Sequence, residues 1–373
     1  MWVGRSWSWP CCLAVLCAIV YAASSRADPV DELPATPPTT RLINVSIGFL
    51  NANEARKAIV DESMEEYFSL LEPMEMTAKT GSPITGATVA EQRDECRRRY
   101  QAAVRVFTPD EQEALRWYVN RIVPLLADDY PLFARTPWSF VKVAPNVEGG
   151  LPHTRGPHIV LPEPAIQMLT EAKAKQDEWL AMIQFSELLL HEQCHVVQRE
   201  HPDRFAAMYT QYWGFKHVAG VQGCPWLTRH QIVNPDGVDV NWIFPLGRDQ
   251  DTRWIWPRAV LADVDDPARA SFADVRIVAI ELENVADGTY RVRTDSDRRP
   301  VMQKLETVSH YAQHFTPARN IEHPNEAAAD LFARIVIAEK VLPTIAAPGS
   351  ANTIIEARKL FAPLQQWFAR ILH

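Results

Sequence analysis

The chain has 373 residues, 47% of them hydrophobic and 23% charged, with a formal net charge of −8. This is a globular composition with enough apolar material for a sizeable core. An acidic balance without a dense Lys/Arg run excludes a general binder of the phosphate backbone, so nucleic acid is not an expected partner.

Arg5 is the lone charge ahead of an apolar stretch, Cys11 to Ala23, and a small-residue site with Ser25 and Ala27 precedes Asp28. This is the pattern of a secretory signal. The apolar stretch is too short to span a bilayer comfortably. Residues 1–27 are therefore read as a cleaved signal peptide, an uncleaved anchor being the alternative. The mature protein is expected to be secreted or periplasmic, with no stable membrane span after signal cleavage. Leu16 stands before Cys17 where lipid attachment needs a small residue. Of the six cysteines, Cys96, Cys194 and Cys224 remain in the mature chain, an odd number that allows one disulfide and one free thiol. Cys194 reads as a small buried hydrophobe.

Residues 28–42 are Pro-rich and polar, which predicts a linker. Apolar periodicity then predicts helices over 54–79, 90–107 and 109–127, the last with a Thr108-Pro109 start signal. Strands are expected at 138–144 and at His158–Leu161. The segment "HIVLP" (158–162) reads as a sheet edge onto which an extended peptide could add, with Gly149, Gly150 and Gly156 allowing close approach. Helices follow at 164–175, 177–200 and 201–215. From 225 to 305, β-branched and aromatic content predicts strands at 239–246, 252–264, 275–285 and 289–295, with Asp287-Gly288 as a hairpin turn. Trp242, Trp254 and Trp256 lie in this part, as cleft lining or, more commonly, as core. Helices return at 325–342 and 351–372. The expected fold class is α+β: helical parts at 43–224 and 306–373 flank a β-rich insertion, 225–305.

The helix over 177–200 carries "HEQCH", His191 to His195, inside an apolar run. Positions four apart lie on one helical face, so both imidazoles can point at one ion. Unpaired imidazoles would be costly beside Leu188, Leu189, Leu190, Val196 and Val197. Zinc suits such a pair together with a third protein ligand. Glu192, next to a ligand, is placed to activate a water. The segment "HPNEAAADLFA" (323–333) offers Glu326 as a metal carboxylate. Asp330, four residues on, could accept the free ring N–H of His191 or His195.

HExxH on one helix with N-E-x-x-x-D on a later one resembles the gluzincin clan of zinc metallopeptidases, the thermolysin-like group. The resemblance implies a zincin-like catalytic unit with Zn2+ held by His191, His195 and Glu326. It makes Glu192 the general base, Asp330 a supporting partner, and a peptide or protein the substrate. The chain departs from the family in two ways. The whole β-rich section separates the two motifs, and no Tyr follows Glu326 to stabilise an oxyanion, so Tyr311 in "SHYAQHF" is the expected stabiliser, ahead of His310 and His314. His201 competes as third ligand, because it has the outer spacing of the metzincin motif HExxHxxGxxH. That motif turns on a glycine, and here Gln198 stands in its place. A helix continuing through Glu200 would leave His201 about 15 Å along the axis from His191. The alternative to a peptidase is a non-catalytic binding protein stabilised by zinc, which a closed four-ligand site would favour.

The mature protein recovered outside the cytoplasm should begin at Asp28, read by N-terminal sequencing; a Met1 start in a membrane fraction would show an anchor instead.

Overall fold

The computed structural model describes residues 45–174, 178–247, 252–286, 288–345 and 351–373. The expected signal peptide and linker, and Asp287 of the expected hairpin turn, lie outside the described residues. In chain order, the first half runs β1 (Ile47–Phe49), α1 (Ala52–Ala58), a 3-10 turn (Phe68–Leu70), α2 (Pro73–Thr80) and α3 (Val89–Ala103). It continues through β2 (Val104–Arg105), α4 (Pro109–Leu126), α5 (Pro131–Arg135) and β3 (Trp138–Val143). Then come β4 (His153–Arg155), β5 (His158–Pro162), α6 (Glu163–Ala174), α7 (Glu178–Glu200) and α8 (Pro202–Gln211). The second half holds β6 (Lys216–His217), β7 (Val221–Gln222), α9 (Pro225–His230), β8 (Trp242–Leu246) and β9 (Arg253–Leu261). After them come β10 (Val275–Ala286), β11 (Thr289–Val292), β12 (Met302–Lys304) and α10 (Ser309–His314). It ends with α11 (Pro324–Val336), which a π turn (Ile337–Val341) continues into α12 (Leu342–Ile345), and α13 (Ala351–Leu372). The class is α+β, and among the described residues no helix is long and apolar enough to cross a membrane.

Capping boxes start three of the helices: Asn51 with Glu54, Thr88 with Glu91, and Thr108 with Glu111. The single helix expected over 54–79 is instead broken, and the acidic stretch after Ala58 explains the break. Asp61 accepts the Ser63 N–H at 3.1 Å, and Glu62 accepts the N–H groups of Tyr67 and Ser69 at 2.7 and 3.2 Å. Side chains that bind nearby backbone in this way compete with the helix for its donors.

The first sheet has the order β1-β3-β5-β4, with β2 beside β3. Strands β1, β3 and β5 are parallel, and β4 turns back antiparallel to β5. "HIVLP" is therefore an interior strand, and the edge is His153–Arg155. The sheet is covered on both faces. Trp138, Phe140, Ile159 and Leu161 enter the main core with α4, α7, α11 and α13, while Val141, Val143 and Val160 face a second cluster built on α1 and α3. Such two-sided burial accounts for the apolar run in β3.

The second sheet, β6-β8-β9-β10-β11-β7 with β12 on β10, begins at Lys216, earlier than the insertion boundary expected at 225. Trp242 and Trp256 are buried in it and Trp254 is half-buried. Cys96, Cys194 and Cys224 are all free and buried, so the allowed disulfide does not form.

A buried charge cluster joins the two halves. Lys79 lies 3.3 Å from Glu75 and 3.1 Å from Glu148, and it donates to the Val233 carbonyl at 2.6 Å. Glu75 accepts the Val233 N–H at 2.6 Å, and the hydroxyls of Tyr67 and Tyr100 both donate to Glu148. Two carboxylates thus share one ammonium. Burial pushes Glu75 up to about 7 against the pull of Lys79. Glu148 also feels burial, but Lys79, His153 and the two phenols outweigh it and hold it below the usual range. Glu148 adopts φ 47° and Gly149 φ 62°, and a Cβ on Gly149 would stand 2.6 Å from the Phe272 ring. Only glycine fits there.

Lys79→Met should cost about 3–5 kcal/mol in urea unfolding, because it leaves buried carboxylates uncompensated. Glu75→Gln should cost under about 1.5 kcal/mol, since the amide can still accept the Val233 N–H. The stabilising effect of Glu75's raised value is complete below its ordinary 4.5 and lost as pH rises through about 7. Glu75→Gln should therefore cost less at pH 8 than at pH 5.

Candidate metal centre

Helices α7 and α11 pack directly against each other, and α11 is buried along its entire length. Within this apolar contact runs a stripe of polar groups at four-residue spacing. Glu187, His191 and His195 lie along α7, and Glu326, Asp330 and Arg334 lie along α11. Glu187 meets Arg334 at 3.4 Å, both histidines meet Glu326, and Gln198 reaches the Asn325 carbonyl at 2.9 Å. The helices are therefore antiparallel, and the seam pairs polar with polar from end to end.

His191 Nε2 lies 3.3 Å from Glu326 Oε2, His195 Nε2 lies 3.4 Å from Oε1, and the two Nε2 atoms are 3.1 Å apart. A tetrahedral ion with ligands at the usual zinc–nitrogen distance has ligand–ligand edges of about 3.3 Å. The two imidazole nitrogens and the two Glu326 oxygens thus approach one another at separations near that edge, with one ligand atom from each residue lying within 4.8 Å of the others, and this buried group can hold a metal ion. Pro324 at the first turn of α11 places Glu326 close to the helix N-terminus, which favours a carboxylate.

The supporting contacts differ from those expected. Gln198 Oε1 accepts the Nδ1–H of His195 at 2.7 Å, which leaves Nε2 free to ligate. The Gln198 amide in turn donates to the Asn325 carbonyl and to the Tyr209 hydroxyl. Asp330 does not serve either imidazole among the hydrogen bonds of the described residues. Its Oδ2 accepts the Arg319 N–H at 2.8 Å and Arg334 Nε at 3.1 Å. Asn234, from the β-rich section, donates to Glu326 Oε1 at 2.6 Å.

Burial pulls both imidazoles down, yet the Glu326 carboxylate outweighs it and holds them above their ordinary range. Burial likewise pushes Glu326 up, and the two histidines overcome it to hold that carboxyl well below the usual value. Glu192 behaves in the opposite way. Burial and the charge of Asp236 raise it well above the carboxylate range, against His191 and Arg199. Its Oε2 is buried without a hydrogen-bond partner. A carboxylate oxygen left bare beside a metal triad suits a group that handles a water or a proton.

The hydroxyl of Tyr311, the expected oxyanion stabiliser, is already engaged. The residue is fully buried among Phe215, Phe244 and Phe315, and its hydroxyl donates to the Ile321 carbonyl at 2.6 Å. His201 lies beyond the end of α7, at the N-cap of α8, outside the triad. Cys194 is a buried core residue.

Sequence reasoning missed Gln198, Asn234 and Asp236. The first was within reach, because Gln198 is three residues from His195 and shares its helical face. Nothing in "NPDG" (234–237) marks a metal site before the chain is folded.

No family model, no curated protein and no solved structure matches this chain. What the molecule itself defines is an α+β protein with a buried His191–His195–Glu326 group able to hold a metal.

Gln198→Leu should lower metal affinity about 10- to 100-fold, as loss of a ligand-orienting partner does, in a competition titration against a chromogenic chelator. His201→Ala should leave it unchanged. Because the imidazoles must lose their protons to ligate, and Glu326 strengthens their hold on them, affinity should fall as the pH is lowered, with proton release seen by calorimetry in paired buffers.

Proposed function

We propose that this chain is a secreted zinc-dependent peptidase of the gluzincin kind, with the first sheet and helices α7 and α11 as its zincin-like catalytic unit. The observation that carries this reading is the convergence of His191, His195 and Glu326 beside the unpartnered Oε2 of Glu192. Two imidazoles and one carboxylate make a donor set that suits zinc. When bound, the ion would supply the Lewis acidity that polarises a scissile carbonyl.

Glu192 is adjacent to a ligand without being one, and its unpartnered Oε2 suits a base that takes a proton and gives it back. It takes the proton of the attacking water and returns it to the departing amine. His191 and His195 hold their Nε2 atoms toward the centre, with His195 fixed by Gln198. The peptide would add to edge strand β4, which packs against α7, rather than to β5.

A second reading, a binding protein stabilised by zinc, is favoured by one observation. His195 is fully buried, Glu326 is 4% exposed, and Asn234 already occupies one of the Glu326 oxygens.

Turnover separates the two readings. Glu192→Gln should reduce hydrolysis of a peptide library by about 10²- to 10⁴-fold while the zinc content of the protein is retained. Glu326→Ala should strip the metal. Metal retained in a wild-type protein that cleaves nothing would favour the binding protein.

A further inference from the structure

The centre is roofed by five residues of the β-rich section, Val233–Gly237, and every one of them is held. Val233 is clamped through both backbone groups by Glu75 and Lys79. Asn234 donates to Glu326 and accepts the Asp236 N–H at 2.9 Å. The Pro235 carbonyl accepts from the guanidinium of Arg199. Asp236 Oδ1 accepts both the Thr154 N–H at 2.6 Å and the Thr154 hydroxyl at 2.7 Å, while its carbonyl accepts the Asn325 amide at 3.0 Å. Gly237 lies so close to α11 that an added Cβ would stand 2.4 Å from Asn325 Nδ2.

Thr154 is the middle residue of edge strand β4, paired with Ile159 of β5. Its N–H is turned to the open side of the sheet, and there it meets a carboxylate instead of another strand. This is the donor that an extended peptide would use on that edge. Arg199, which also donates to the Thr154 hydroxyl, sits beside it. An N–H and a hydroxyl converge on the Asp236 carboxylate, and the Arg199 guanidinium, itself paired through Nε with Glu65 at 2.6 Å, lies alongside; together they form a pocket suited to a carboxylate. The segment therefore covers both the metal-facing side of Glu326 and the peptide-facing side of β4.

Building on the peptidase reading above, we propose that Val233–Gly237 is a built-in pseudo-substrate, and that Asp236 fills a subsite which takes a carboxylate of the peptide substrate. When the segment lifts, the Thr154 N–H and hydroxyl and one Arg199 nitrogen lose their internal partners together. They then receive either an acidic side chain within the peptide or its free C-terminus. The Glu75–Lys79 clamp on Val233 fixes the root of the segment, so the moving part is the turn beyond it.

The test uses the mature chain loaded with zinc, compared with Asp236→Ala, Asp236→Asn and Gly237→Ala. Alanine removes the carboxylate, asparagine keeps an acceptor for Thr154, and the glycine change dislodges the turn through Asn325. Two rates are read: transfer of zinc to excess chelator, and cleavage of one peptide made in three forms. These carry an internal Glu with an amidated end, an internal Gln with a free C-terminal carboxylate, or an internal Gln with an amidated end. Asp236→Ala and Gly237→Ala should speed both rates by about tenfold, the weight of about one or two hydrogen bonds, with Asp236→Asn between them and wild type. A carboxylate-bearing form should be preferred over the neutral one by a similar factor, and which of the two is preferred identifies the source of the carboxylate. Unchanged rates in both Asp236→Ala and Gly237→Ala overturn the pseudo-substrate. Faster rates without preference for either carboxylate form overturn the subsite. Faster zinc transfer with no cleavage by any protein overturns the peptidase reading alone; slowing of that transfer by a carboxylate form, and not by the neutral one, then supports the subsite, and its absence overturns it. A chain that takes up no zinc overturns both.

Discussion

The structure depends on a polar seam sealed inside an apolar contact. Helices α7 and α11 bury Glu187, His191, His195, Glu326, Asp330 and Arg334 against one another, where each would be costly if left without a partner. The observed antiparallel register gives each of them a partner. Sliding α11 by a turn would set Asp330 against the histidines and leave Glu326 and Arg334 without theirs. The seam thus fixes the relation of the two helices far more tightly than the surrounding Leu, Val, Ala and Phe side chains could. Apolar packing accepts many registers of similar volume, and charge pairing does not.

The rest of the fold serves that seam. The first sheet supports α7, with Gln193 donating to the carbonyls of Thr136 and Pro137 at the start of β3. The β-rich section is wide and antiparallel apart from the β7–β11 pair, and among the described residues it contributes to the centre through a short turn. That turn is rooted in the Glu75–Lys79–Glu148 cluster, so a second buried charge system holds the roof over the first. Two costly polar arrangements are joined by five residues.

Three differences between the expected contacts and those of the described residues share a cause. A carboxylate four residues beyond Glu326 is near enough along one helix for Asp330 to serve a histidine. In the folded chain Arg319 and Arg334 claim it first, and the amide of Gln198 takes over at His195. Tyr311 was selected for its hydroxyl, which the Ile321 carbonyl consumes within an aromatic cluster. The turn-rich flanks of "HIVLP" suggest an edge, yet β4 folds back and covers it. In each case the chemical type of the residue was right for the role, and a competing partner distant in sequence decided otherwise.

Local patterns alone determine much of this protein. The helices over 89–103 and 109–126, the strands β3 and β5, the α+β class, and the convergence of His191 and His195 on one helical face follow from periodicity, caps and four-residue spacing, whereas Val104–Arg105, expected as the end of a helix, pairs with β3 as a strand. These depend on neighbours within a turn or two, which a linear reading can see. The identity of Glu326 as third member of the group was also legible, because a paired carboxylate among alanines signals burial. Only the tertiary structure decided that Gln198 orients His195, that Asn234 and Asp236 reach across from the β-rich section, and which strand forms the edge. Those outcomes are settled by competition among groups brought together from remote parts of the chain, and hydrogen-bonding capacity does not reveal its partner until the backbone has placed the alternatives side by side.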